Sequence, residues 1–309
     1  MIDKVNLTSK IKEKARELGF LDCGIARAGK LEEDGTRLDS WLNEKKHAGM
    51  SYMERNIHER KDPRMLVEGA RSIVLVLLNY FPNYFQKLRD APVISKYAYS
   101  NDYHFVMKSK LNTLLDFIKL DTPGALGRVF VDSAPVMERA WAREAGLGWI
   151  GKNSLLLNKH HGSFFFIGEV IIDQELSYDA PTSGTCGLCR LCMEACPTGA
   201  ITSEKIVDSN LCIAYHTIEN KNDHLPENLK GQFKNRLFGC DICQDVCPWN
   251  RKKTFSHQHP DLKPIDQIIE WGKSNWESME KKDFAKIFKH SPMKRTGFKR
   301  IKRNLDFLG

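Results

Sequence analysis

Eight of the nine cysteines fall in or beside two short cassettes, and no other feature restricts the fold as severely. The first cassette is Cys186-x2-Cys189-x2-Cys192-x3-Cys196-Pro197. The second is Cys240-x2-Cys243-x3-Cys247-Pro248, with Cys212 upstream. Thiols at this density must converge on a common centre, and the chain between the cassettes must loop back to let them. The longest unbroken aliphatic run, Ile73 to Leu78, is far too short to span a bilayer, and the charged first twenty residues lack the apolar centre of a secretory signal. A cytoplasmic location with no membrane association is therefore expected. Thiols there stay reduced, so the clustering indicates metal or redox chemistry, not disulfides.

The spacing is that of bacterial two-cluster ferredoxins, in which the cysteine before proline serves the other cluster. Two-residue gaps let a tight loop aim three sulfurs inward, while the fourth points away into a helix. By this rule Cys186, Cys189, Cys192 and Cys247 hold one [4Fe–4S] cluster, and Cys196, Cys212, Cys240 and Cys243 hold the second. A structural zinc site is the alternative, but zinc sites seldom use this triple run with prolines. The ninth cysteine, Cys23 in FLDCGIA, is expected to be a small buried core residue. Two adjacent clusters imply one-electron transfer, with the acceptor to be sought in the first 175 residues.

That region reads as alternating strands and helices, an α/β architecture. Residues 7–19 carry Leu7, Ile11, Ala15 and Leu18 on one helical face, with Gly19 as the cap. Residues 72–81 read as a buried strand, 104–120 as a helix and 163–173 as another strand. Residues 127–146 read as a strand, a turn at Asp132–Pro135 and a helix. The predicted organisation is a catalytic α/β domain at 1–175, a ferredoxin-type α+β domain at 176–255 and a basic helical segment at 256–309. With 309 residues, 41% of them apolar, the chain can build cores for these units.

Two motif matches carry little. Gly146-Leu-Gly148-Trp-Ile-Gly151 fits the dinucleotide fingerprint, but it follows a helical pattern, and Trp149 sits where a phosphate loop needs room. Asp102-Tyr-His104 begins a D-x-H-x-x-G cobalamin-ligand motif whose final glycine is absent. This speaks against His104 as an axial ligand and leaves it as a substrate-facing or surface histidine.

Taken in order, KYAYSNDYH (96–104), VDSAPVMERAWAREAGLGWIGKNSLLL (131–157), GSFFFIGEVI (162–171), CIAYHTIEN (212–220) and GCDICQDVCPWN (239–250) make the chain resemble the epoxyqueuosine reductases. The resemblance implies an oxidoreductase of queuosine biosynthesis that reduces an epoxide to an alkene on a modified tRNA base. It further implies a base-off cobalamin held between the α/β and ferredoxin domains and fed by the clusters. Asp132 is then the proton donor. Its place after the apolar strand 129–131 suggests a desolvated carboxyl with a raised pKa, against the plainer reading of a helix N-cap. The resemblance also points to Arg55, Tyr97, Asp132, Lys152, Asn153, Ser154, His216, Thr217 and Gln244 as cobalamin contacts.

The net charge of +8 resides in residues 281–309, which hold ten Lys/Arg against Asp283 and Asp306. This run is either a solvated tail or a surface for tRNA phosphates. Longer family members continue into HEAT-type repeats, and here that region is truncated or absent. The expected partners are tRNA carrying epoxyqueuosine and an external low-potential electron donor, with the enzyme a monomer. Two other readings remain. A corrinoid reductive dehalogenase shares the cofactors but carries a twin-arginine signal that is missing here. A ferredoxin-type electron-transfer module would not need the preceding 175 residues.

Overall fold

The computed structural model describes residues 3–309. Helix α1 (Lys4–Glu17) starts where the Asp3 side chain accepts from Val5 N and Asn6 N, and the chain leaves it through Gly19 at φ +85°. It is followed by strand β1 (Asp22–Arg27), helix α2 (Glu32–Asn43) and strand β2 (Ser72–Asn79), whose eight residues are all buried. Helix α3 (Tyr103–Asp121), strand β3 (Gly127–Phe130), helix α4 (Glu138–Glu144) and strand β4 (Phe165–Ile172) complete the sheet unit. The sheet order is β1-β2-β4-β3, and every pairing is antiparallel.

The sheet is covered on both faces. Leu7 and Ile11 of α1, with Met107, Leu111 and Ile118 of α3, pack against Val74, Val76, Val170 and Ile172. Ala140, Trp141 and Ala142 of α4 cover Ile73, Leu75, Leu77 and Ile171 on the opposite face. Strand pleating sends alternate residues to the two layers, which is why β2 and β4 read as continuous apolar runs.

The glycine fingerprint leads into a hairpin of Trp149–Ile150 with Leu156–Leu157, not into a helix. Gly148 has φ +152°, and a Cβ there would lie 2.1 Å from the Leu157 carbonyl oxygen, so its role is close strand approach. Cys23 is half-buried beside the first core, and burial pushes its thiol up to about 12.

A third core joins residues from distant parts of the chain. Ile94 and Tyr99 meet Leu237 and Phe238, together with Trp276, Phe288, Ile301 and Leu305. The basic run is therefore not a loose tail. Helix α5 (Met293–Thr296) leads into α6 (Phe298–Leu308), which buries Ile301, Asn304, Leu305 and Phe307. Its arginines serve the backbone. Arg303 donates to the carbonyls of His216 and Asn220, and Arg300 to those of Ile218 and Arg295. Among the described residues no helix is long and apolar enough to cross a membrane.

Candidate active site and metal centres

The tight turns after Thr185 and after Asp241 each aim their thiols at a common space. Cys186, Cys189, Cys192 and Cys247 together line a cavity of about 280 Å³, with Lys152, Asn153 and Trp249 on its walls. Cys247 thus joins the first cassette across more than fifty residues, in the pairing read from the spacing. Burial is the first cause that raises the Cys243 and Cys212 thiols; Cys243 also feels Cys240, Cys212 and Cys192, and Cys212 feels Cys196. Among the described residues no three His, Cys, Asp or Glu side chains sit close enough to share one metal ion. Four thiols spread around a cavity suit a multi-atom centre better than a single zinc. Trp149 and Trp249 meet edge to face at 5.0 Å beside Cys247 and give the first set an apolar shell. Ala200 N–H donates to Cys196 Sγ at 3.3 Å, the kind of bond that stabilises sulfur-borne negative charge.

The second centre surrounds Asp132. Strand β3 ends at Phe130, and the next two residues form a tight turn in which Ser133 N–H donates to Val131 O across Asp132 at φ +53°. A non-glycine residue in this conformation is strained, and such strain persists only where neighbours enforce it. Glu138, at the start of α4, enforces it by accepting the Asp132 backbone N–H. The N-cap reading fails, because Met137 occupies that position with no side-chain cap. The carboxyl-end-of-strand argument also loses its force, since it belongs to parallel sheets.

Asp132 Oδ2 lies 3.2 Å from His104 Nε2, and His104 Nδ1 lies 2.7 Å from Asp102 Oδ1. Asp102 is the N-cap of α3 and accepts His104 N–H as well, so one carboxylate starts the helix and orients the ring. Tyr103 and Phe166 stack at 3.9 Å, and Tyr103 and His104 at 4.2 Å. Asp132 keeps 52% of its side chain exposed.

The expected raised pKa of Asp132 is overturned. Enclosure by protein pushes it up, but the His104 hydrogen bond and charge, with Arg295 beyond, outweigh this and hold it below the usual range. Burial likewise pulls His104 down, and its bonds to Asp102 and Asp132 carry it up to about 9. At neutral pH the proton therefore resides on His104, poised against an ionised Asp132. The neighbouring Glu138 behaves oppositely. Burial and then the Asp132 charge raise it to about 8. Behind it, fully buried Glu169 is raised well above the usual range by burial, then by Glu138 and Asp132, and neither of its oxygens has a partner among the described residues.

The other predicted residues divide. Lys152 and Asn153 are buried and line the thiol cavity, with Lys152 Nζ 2.7 Å from Glu204. Ser154 has φ +65° and offers its carbonyl to Arg139, the residue after Glu138. The 152–154 loop therefore runs from the thiol cavity to the start of α4, whose Glu138 bonds Asp132. Tyr97 packs edge to face on Tyr103 at 6.2 Å, and Arg55 lies exposed in the loop beside Tyr52. His216, Thr217 and Gln244 are turned inward. His216 bonds Asn210 O and Asn220 Nδ2, Thr217 donates to Ile213 O, and Gln244 accepts from Ser163. Sequence reading missed the His104–Asp132 pair, Glu138 and Glu169, and it saw Arg295 only as part of the basic run 281–309. The only available signal was the Asp102-x-His104 spacing.

The chain matches known proteins over nearly its whole length. A family profile described as epoxyqueuosine reductase QueG, DUF1730, matches residues 60–133, and one described as a 4Fe-4S double cluster binding domain matches 185–250. The chain is 50% identical over 303 residues to an epoxyqueuosine reductase of Cyclobacterium marinum, covering 97% of this chain and 96% of that one. Its fold is similar to an epoxyqueuosine reductase solved with an epoxyqueuosine-modified tRNA-Tyr stem loop. The TM-score is 0.88 at 29% identity, with 98% of this chain and 80% of that one covered. It is also similar to the Bacillus subtilis enzyme solved with its catalytic aspartate loop swung out of the active site. There the TM-score is 0.90 at 29% identity, with 98% and 81% covered.

Proposed function

The chain belongs to the epoxyqueuosine reductase family, and from that premise we propose how its two centres divide the reaction. The enzyme is an oxidoreductase that reduces epoxyqueuosine to queuosine in tRNA. Removing the epoxide oxygen as water and leaving an alkene consumes two electrons and two protons. The thiol sets serve the electrons, and the Asp132 cleft serves the protons.

On this reading Cys186, Cys189, Cys192 and Cys247 hold one [4Fe–4S] cluster, and Cys196, Cys212, Cys240 and Cys243 hold the other. The donor chemistry and the cavity volume both fit. Cobalamin would be held along the stretch from Asn153 and Ser154 toward Asp132, with Tyr97, which feels the Asp132 charge, beside it. When bound it would carry electrons from clusters to substrate. Lys152 takes part through its fixed place on the cavity wall. His216, Thr217 and Gln244 lie beside the second thiol set and would border the cofactor from that side.

The observation that carries the reading is the His104–Asp132 pair on a strained loop. His104, oriented by Asp102, holds the proton. Asp132 passes it to the departing oxygen, and re-protonation comes back through the imidazole. Glu138 fixes the Asp132 backbone so that the carboxylate faces the cleft. A relative's catalytic aspartate also sits on a loop able to leave its active site, which suits Asp132 held by one such bond.

The test uses anaerobically reconstituted protein and an epoxyqueuosine-modified stem loop. The wild-type chain converts it to queuosine once supplied with cobalamin and a low-potential reductant. Cys247→Ser loses about half the iron and most turnover. Zinc in place of iron, or turnover that survives Asp132→Asn, would defeat the assignment.

A further inference from the structure

One cation near Asp132 is held by a single side-chain partner and otherwise faces solvent. Arg300 and Arg303 of α6 point inward and bind main-chain carbonyls. Arg295 of α5 instead leaves 65% of its side chain exposed, and its guanidinium pairs with Glu219, a residue only 19% exposed. The pair is close enough to Asp132 for its charge to act there: Asp132 is lowered in part by Arg295, and Tyr52 and Tyr97 each feel Arg295, Glu219 and Asp132 together. Four segments distant in sequence thus lie within reach of one another's charges. They are the turn at Tyr52, the loop at Asp132, the π-turn Tyr215–Glu219 and α5.

The position of α5 is firmly set. Thr296 Oγ1 donates to Ile218 O at 3.2 Å, and Arg300 donates to Arg295 O at 2.6 Å. The backbone of Arg295 is held from both sides while its charge faces solvent. Most other cations of the run 294–304 are engaged elsewhere. Lys299 pairs with Asp223, and Lys302 bonds the Glu277 carbonyl. A fixed backbone, an exposed planar donor and a single carboxylate partner describe a guanidinium ready to exchange one anion for another.

We propose that Arg295 binds a backbone phosphate of the RNA beside the nucleotide that enters the cleft, and that Glu219 holds the guanidinium in place until that phosphate displaces it. The inference rests on the reading of the substrate as a tRNA nucleotide. The ligand chemistry is a phosphodiester, and the exchange makes and breaks no covalent bond. Glu219 competes with the RNA, so the two residues have opposite effects on binding. A purely structural ion pair would give effects of the same sign.

The experiment measures the dissociation constant of an unmodified anticodon stem–loop RNA across a salt series, using cluster-loaded wild type, Arg295→Ala, Arg295→Lys and Glu219→Gln. Arg295→Ala weakens binding about tenfold and lowers the salt slope by about 0.7 to 1. Arg295→Lys restores the slope but only part of the affinity. Glu219→Gln tightens binding about two- to fivefold. Visible absorbance of the clusters and thermal melting establish that each variant is folded. Wild-type affinity and slope in Arg295→Ala overturn the proposal, and so does a Glu219→Gln loss equal to that of Arg295→Ala. Failure of the wild type to turn over modified RNA would instead overturn the reading of the function, and the binding comparison would stand apart from it.

Discussion

His104 Nε2 lies 3.2 Å from Asp132 Oδ2, with the other ring nitrogen 2.7 Å from Asp102, so the imidazole is clasped between two carboxylates. The arrangement favours a protonated ring and an ionised Asp132. In the proposed mechanism the acid is therefore the imidazolium, and its carboxylate partner hands the proton on.

The pair predicts an alkaline limit to catalysis. The His104 pKa rises from its ordinary 6.5 to about 9 in the folded protein. The attraction is complete below 6.5 and is lost as pH climbs through about 9, so turnover falls over that upper limb. Asp102→Asn removes the carboxylate bonded to Nδ1 and moves the limb toward neutrality. A pH–rate profile of the two proteins checks this, and an unmoved limb in the variant refutes it.

Strain at Asp132 sets stability against function. Its φ of +53° suits glycine and penalises alanine. Asp132→Gly is expected to be more stable than Asp132→Ala by about 1 kcal/mol. Both variants lose about 10²- to 10⁴-fold in turnover. Denaturant melts and single-turnover assays measure the two halves of the claim, and equal stability of the variants contradicts it.

Glu169 gives a stability trend with pH. Its carboxyl stays neutral when folded, because burial and the nearby acids raise it, while in the unfolded chain it ionises above about 4.5. The folded state then holds the extra proton, so this residue's contribution falls as pH rises past that value. Glu169→Gln removes the decline. Between pH 5 and pH 8 the variant gains steadily on wild type in urea melts, and parallel curves would disprove the neutral carboxyl.

Asn304 is 1% exposed and donates to the carbonyls of Thr217 and Leu237. Both carbonyls flank the second thiol set, five residues after Cys212 and three before Cys240. Asn304→Ala strands them in the core at a cost of about 2 kcal/mol or more. The variant should bleach part of its visible absorbance at a lower temperature than it unfolds globally. Melting with wild-type coincidence of the two signals counts against this.

The long periodic elements were legible in the sequence. Residues 72–79, 165–172 and 103–121 carry apolar patterns that survive any tertiary context. Strand β1 escaped because Asp22–Arg27 is a short edge strand containing glycine, with half its residues poorly buried. Helix α2 escaped because its first turn is acidic and Gly35 interrupts it. Strand direction leaves no mark on local composition, so an antiparallel sheet read as a generic α/β alternation. In α6 the ten-cation run masked Ile301 and Leu305, four residues apart on one face, and an element of the third core resembled a tail.

At the site, thiol partnership followed from spacing because cluster geometry constrains it locally. The His104–Asp132 pair joins residues 28 positions apart through a sheet edge, and the direction of the Asp132 pKa depends on that partner alone. Arg295 pairs with Glu219 from the far end of the chain, and its charge acts on Asp132. Charges brought together only by tertiary folding carry no signature in the strings that contain them.

Under the proposed assignment of the thiols, the sharing of Cys247 with the first cassette sets an order of events during synthesis. On the ribosome, Cys186, Cys189 and Cys192 emerge early and wait as an open three-sulfur cup. Cys212, Cys240 and Cys243 complete the other set, with Cys196, before Cys247 appears. The pocket that translation opens first is thus the last to close, and iron offered to a nascent chain shorter than residue 247 meets an unfinished cage there. Maturation of that site belongs to the nearly finished polypeptide.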